Sequence, residues 1–175
     1  MRELKSVDYQ ILFELIKNPR LSDRQLAKIL GVSQPTVTRK RAVLEKEGLL
    51  EYTAVPNLRK LGFEIIAFSF GRWDLAKYPD TRVEETRDFF SKNPNVIFLS
   101  TGRGLNWDRM GVSVHKDYSD YHKVVQDFKS VFGENLESFG SFIISLRSDN
   151  IVRDFTLKYL AELIKKEHEK KDKGT

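Results

Sequence analysis

Apolar positions recur at helical spacing in three short runs at the start of the chain and then change to strand-like alternation. Val7, Ile11, Leu12, Leu15 and Ile16 mark a first helix, which Ser6 can cap and Asn18-Pro19 ends. A second helix opens on Ser22-Asp23-Arg24-Gln25, where Ser and Gln stand three apart as a capping box, and it stops at Gly31. Ser33 caps a third, with Pro35 in its first turn where a missing N–H costs nothing, and Gly48 closes it. Leu49 to Val55 then reads as extended, a strand, before the connector Val55-Pro56-Asn57.

Beyond Gly62 the order of elements changes class. Ile65–Phe70, Val96–Thr101, Met110–His115 and Phe142–Leu146 read as strands, and Arg82–Lys92 and Tyr118–Phe132 as helices. Strand, helix, strand, strand, helix, strand is the split βαβ, or ferredoxin-like, arrangement, with two helices on one face of an antiparallel sheet. Ile151 to about Lys166 predicts a further amphipathic helix carrying Phe155, Tyr159, Leu160, Leu163 and Ile164, free to pack within the chain or on a second subunit. The expected class is therefore α+β: a winged helix-turn-helix domain (1–54), a hinge (55–62), a ferredoxin-like domain (63–150), and a C-terminal helix with a charged tail (151–175).

The second and third helices, joined by Gly31-Val32-Ser33, form a helix-turn-helix whose later helix enters the DNA major groove. On the helical wheel Val37 and Leu44 face inward, while Gln34, Pro35, Thr38, Arg39 and Ala42 face outward. Gln suits adenine, Arg suits guanine, and Thr suits a base or a phosphate. Thr36, Lys40 and Arg41 sit at the margins, from which basic side chains reach phosphates by snorkelling. Ser22, Arg24 and Ser33, at helix starts, can hold a phosphate on unpaired N–H groups. The nine candidate DNA contacts are thus Ser22, Arg24, Ser33, Gln34, Thr36, Thr38, Arg39, Lys40 and Arg41.

Charge supports that assignment only once it is located. Across 175 residues the net charge is +5, but residues 1–60 carry +5, 61–150 carry −2 and 151–175 carry +2. A polyanion-binding head on a near-neutral body is implied. With no Cys, and with His115, His122 and His168 scattered over a strand, a helix and the tail, neither a metal site nor a cofactor is expected. No secretion signal or long apolar span stands out, so the expected setting is the cytoplasm, with no membrane partner.

At these residues the sequence resembles the Lrp/AsnC family of prokaryotic transcription regulators. The resemblance rests on Val7-Asp8-Tyr9-Gln10-Ile11-Leu12, Ser22-Asp23-Arg24-Gln25-Leu26-Ala27, Gly31-Val32-Ser33 and Leu44-Glu45-Lys46-Glu47-Gly48-Leu49-Leu50, and more loosely on Thr101-Gly102, Asp108 and the strand up to Asp117. It implies homodimers or larger assemblies joined through the C-terminal sheets, with a small effector such as an amino acid bound in that domain. Gly102, Arg103, Gly104, Trp107 and Asp108 are the candidate effector residues. Three departures stand out: Arg41 in place of an aliphatic, a loop lengthened by Arg103 to Trp107, and the extra helix after Ile151. Two other readings compete with a specific, non-enzymatic regulator. One is an architectural protein coating DNA with little preference; the other is an enzyme like the siroheme decarboxylases, for which only His115 and His122 are suitably placed.

Overall fold

The computed structural model describes residues 3–74, 83–149 and 151–173. In chain order it contains α1 (Ser6–Lys17), α2 (Asp23–Leu30), α3 (Gln34–Lys46), β1 (Ile65–Trp73), α4 (Val83–Ser91), β2 (Val96–Gly104), β3 (Trp107–His115), α5 (Tyr118–Phe132), β4 (Leu136–Ser145) and α6 (Leu160–Lys173). Residue Arg82, expected to open α4, lies outside the described residues. Two compact units result: Met1–Val55 together with Arg153–Thr175, and Pro56–Val152.

The first unit closes around Ile11, Leu15, Leu26, Val37 and Leu44, all essentially inaccessible to solvent. Their spacing puts one apolar stripe on each of α1, α2 and α3, and the stripes meet. Ser6 is not the cap of α1. Lys5 holds that position, its N–H donating to Asp8 Oδ2 at 2.9 Å, while Ser6 Oγ lies 2.7 Å from His168 Nε2 on α6. Leu49 to Val55 forms no strand, because an extended segment needs a neighbour for its N–H and C=O groups and none pairs with it among the described residues. Leu49 and Leu50 instead pack on the three-helix core.

The expected helix from Ile151 begins nine residues late, at Leu160. Thr156 Oγ1 accepts from the Lys158 N–H, a side-chain bond that competes with helix formation and sets up the first turn just beyond it. Once formed, α6 packs on α1: Ala161 is buried, Ile164 joins the core, and His168 meets the Tyr9 ring edge-on at 5.6 Å. Phe155, Tyr159, Leu160 and Leu163, expected on its buried face, stay exposed.

The second unit is a four-stranded antiparallel sheet in the order β2-β3-β1-β4. Side chains alternate between faces, so Ala67, Ser113 and Ile143 share one face, whereas Phe68, Val112, Phe98 and Phe142 form a cross-strand row on the other. The first face is covered by helix: Tyr121 and Val125 of α5 meet Ile65 and Ala67, and Trp73, Phe89, Phe128 and Phe132 make an aromatic cluster at one end. The second face is covered at one end only, where Leu58, Phe63 and Ile151 pack on Ile66, Val112, Val114 and Leu146. Elsewhere on it Phe142 is 66% exposed and Phe98 50%.

His115 is completely buried at the end of β3. Nε2 lies 2.8 Å from Ser113 Oγ, and Nδ1 lies 3.4 Å from Asn95 Nδ2 and 3.7 Å from Asp120 Oδ2. Burial pushes its pKa below the ordinary value, with Asp120 opposing. The folded state then holds fewer protons than the unfolded state, so the stability His115 contributes is intact above about pH 6.5 and is lost as the pH falls from there through the lower folded pKa. Between pH 7.5 and 5.5 the unfolding free energy of the wild type should drop more than that of His115→Gln; parallel pH profiles would remove this role.

Candidate nucleic-acid interface

The turn between α2 and α3 follows directly from its residues. Ser22 Oγ accepts from the Gln25 N–H and Gln25 Oε1 from the Ser22 N–H at 2.8 Å, so both start groups of α2 are satisfied reciprocally. Gly31 takes a left-handed conformation, φ 65°, which a side chain would strain, and turns the chain within three residues. Ser33 then caps α3, its hydroxyl 2.8 Å from Thr36 Oγ1, with Pro35 in the first turn.

The nine candidate contacts separate into three groups. Arg24, Gln34 and Arg39 are exposed, and among the described residues their side chains make no hydrogen bond or ion pair. Thr38, Lys40 and Arg41 are committed within the unit. Thr38 Oγ1 donates to Asp23 Oδ2 at 2.7 Å, and Lys40 Nζ reaches the fully buried Asp8 Oδ1 at 2.8 Å. Arg41 does not snorkel outward. Its Nη1 donates to Leu21 O and Asp23 Oδ1, both at 3.1 Å, and its Nε to Glu45 Oε1 at 3.1 Å and Tyr52 Oη at 2.7 Å. Ser22, Ser33 and Thr36 serve as caps or cap partners.

Tyr52 completes this clamp by donating to Glu45 Oε1 at 2.9 Å under the Arg41 guanidinium. Burial and the Glu45 bond push its phenol up to about 12, so it stays protonated. Burial works against the Arg41 charge, but Asp23, Glu45 and Tyr52 outweigh it and hold the pKa above its ordinary value. The i, i+4 spacing of Arg41 and Glu45 is visible in the sequence; Asp23 and Tyr52 are distant in sequence, and only the fold supplies them. The arrangement ties α2, α3 and the segment after α3 together, presenting the outward arc of α3 on a fixed frame.

In the second unit the five effector candidates do not converge on one pocket. Gly102, Arg103 and Gly104 are exposed residues of β2, and the expected long loop is a two-residue turn, Leu105-Asn106, both at positive φ. That geometry joins twisted antiparallel strands, which therefore run further than their apolar residues suggest. Trp107 lies against Phe70 and over Gly140. Asp108 Oδ2 accepts the Trp73 backbone N–H at 3.0 Å, joining β3 to β1. Among the described residues, no group of three or more His, Asp or Glu could hold a metal ion, and no helix is long and apolar enough to cross a membrane.

Residues 4–51 match the winged helix-turn-helix DNA-binding family model. An HTH-type transcriptional regulator of Pyrococcus abyssi is 36% identical over 146 residues, 83% of this chain and 95% of that protein. The chain belongs to the Lrp/AsnC family of transcriptional regulators. The leucine-responsive regulatory protein of Rhizobium meliloti is 36% identical over 67 residues, 38% of this chain. That alignment spans 43% of the Rhizobium protein, as does the alignment with a Pyrococcus furiosus regulator, so these two relatives are matched over less than half their length. A solved transcriptional regulator of Neisseria meningitidis, in complex with L-Met, has the same fold: its TM-score is 0.73 at 19% identity, covering 89% of this chain and 96% of that one. Within this Lrp/AsnC member, the helix-turn-helix and the sheet are two units of the family's layout.

Proposed function

We propose that the protein is a sequence-specific DNA-binding regulator that lays the outward arc of α3 in the major groove and works as a homodimer or larger assembly. The observation carrying this reading is the division of labour on α3. Thr38, Lys40 and Arg41 hold the frame, whereas Gln34 and Arg39 have their polar heads in solvent. A long exposed Arg with no partner among the described residues has its full hydrogen-bonding fork available for a guanine edge or a phosphate. Arg24, at the start of α2, suits a phosphate beside the groove.

Arg39→Ala should weaken binding by about 1–3 kcal/mol if the contact is to a base, and reduce the salt slope by about one if it is to phosphate. Titrating a labelled operator at several salt concentrations reads both. Unchanged affinity and slope would remove Arg39 from the interface. Arg41→Ala is expected to act through stability instead, lowering Tm while any remaining folded protein keeps the wild-type salt slope.

Two half-sites about 34–36 Å apart suit a two-fold dimer. The row Phe98, Val112, Phe68 and Phe142 on the open sheet face supports subunit pairing there. An amino-acid-like effector is supported by the L-Met complex of the Neisseria regulator. In this chain Gly102 to Gly104 offer exposed backbone beside Trp107 for such a ligand, while Asp108 positions β1 and would not be its ammonium partner. Gly102→Val should abolish an amino-acid-dependent change in DNA affinity without altering the ligand-free affinity; a retained response would place the effector elsewhere.

A further inference from the structure

The face of the sheet beneath α4 and α5 has an unusual composition on its two central strands. Ser69 and Gly71 of β1 and Gly111 and Ser113 of β3 all point toward the helices, where a packed core has Val, Ile or Leu. Opposite them stand Phe90, Val124, Val125 and Phe128. Between these small strand residues and the large side chains of the helices lies a cavity of about 80 Å³. That is room for about five to eight water-sized groups, the size of a six-membered ring or a branched hydrocarbon chain.

The hydroxyl groups of the two strand serines on its wall are paired. Ser69 Oγ and Ser141 Oγ are 2.8 Å apart, and Ser113 Oγ bonds His115 Nε2 at 2.8 Å. At the far end Arg109 lies over the Trp73 ring at 5.0 Å; its Nε is 3.9 Å from Asp108 Oδ1, an ion pair too long for a hydrogen bond. A water in the middle of the cavity would find few of the two to four partners it needs, whereas an apolar guest would meet the rings and methyl groups of Phe90, Leu99, Val124, Val125 and Phe128.

We propose that this cavity is a binding site for a small uncharged apolar molecule, a planar ring or branched chain, distinct from any amino-acid effector site at the β2–β3 hairpin. The chemistry separates the two. An amino acid would carry an ammonium into a cavity whose described lining holds no carboxylate and already includes the Arg109 cation, and burial of an unmatched charge is strongly disfavoured. Gly111 is the residue on which the site depends. A Cβ there would sit 3.4 Å from Leu99 Cδ1 and 3.5 Å from the Phe98 carbonyl, ordinary contact, so the backbone accepts a side chain, and the methyls of Val would occupy the space of the guest.

The test uses the full chain with indole as probe. Nuclear Overhauser effects should connect indole ring protons to the Val124 and Val125 methyls and the Phe128 ring, saturably, with a rise in Tm that L-Met does not give. Gly111→Val should weaken indole binding at least tenfold while raising the ligand-free Tm. Should that variant not fold, Val125→Phe fills the same space from α5 and is read the same way. Absence of these Overhauser effects at millimolar indole, or equal indole affinity in a folded cavity-filled variant, overturns the proposal.

Discussion

Asp8→Ala is expected to destabilise the DNA-binding unit by about 3 kcal/mol. Asp8 is fully buried, yet it is a charged residue; it accepts from the Lys5 N–H at 2.9 Å and from Lys40 Nζ at 2.8 Å. Removing it leaves the Lys5 N–H at the cap of α1 and a largely buried ammonium without this acceptor, and the Lys40–Asp8 pair is a link from α3 to α1. For a unit of this size the loss corresponds to a fall in Tm of about 10 °C or more. Asp8→Asn, which keeps an acceptor for the Lys5 N–H and discards the charge, should cost less. The measurement is thermal unfolding of both variants followed by far-ultraviolet circular dichroism. A fall below about 1 kcal/mol for Asp8→Ala would show that the pair contributes little beyond its own desolvation.

Phe142→Asp is expected to separate the subunits and, with them, the DNA heads. The side chain is 66% exposed in the single chain and lies in the same cross-strand row as Phe68, Val112 and Phe98. A carboxylate there leaves the isolated sheet nearly unaffected but has to be desolvated in any pairing through that face. Joining two heads raises their effective concentration, so losing the dimer should lower operator affinity by about 10²-fold or more. Sedimentation velocity and an operator titration on the same sample separate the two effects. A variant that still sediments as the dimer would show that subunits join through some other surface.

These expectations show where the sequence was informative. Caps and stops along the first three helices are local chemistry, and Ser22, Gly31, Ser33 and Pro35 do in the structure what their types and spacing imply. All four expected strands form as well, each longer than its apolar residues mark, although only Ile65 to Phe70 reads as alternating and the burial along the strands does not alternate. What the residues alone do not reveal is which partners the fold brings to each side chain. Arg41 looked like a phosphate contact because its neighbours are basic, but the fold brings Asp23 and Tyr52 to it. Lys40 looked the same, and the decisive fact is a buried carboxylate 32 residues earlier. The stretch after Ile151 has helical periodicity but begins its helix only at Leu160, where the local Thr156 bond permits it. The β2–β3 connection read as a loop because Gly102-Arg103-Gly104 are poor strand formers, and pairing with β3 overrode that preference.

The same distinction narrows the basic face of α3. Of nine candidate contacts, the three whose side chains are uncommitted, Arg24, Gln34 and Arg39, are the ones that can change partner on binding without cost to the fold. Specificity should therefore concentrate in few residues, and the salt dependence of binding should be modest for each head.

The most direct measurement is selection of genomic DNA fragments by the full chain, followed by titration of an enriched fragment against bulk DNA at one stated salt concentration. An enriched fragment should be bound about 10³-fold or more tightly than bulk DNA, with two related half-sites about one helical turn apart. Equal affinity for enriched and bulk DNA would contradict sequence-specific binding and favour a protein that coats DNA without reading it.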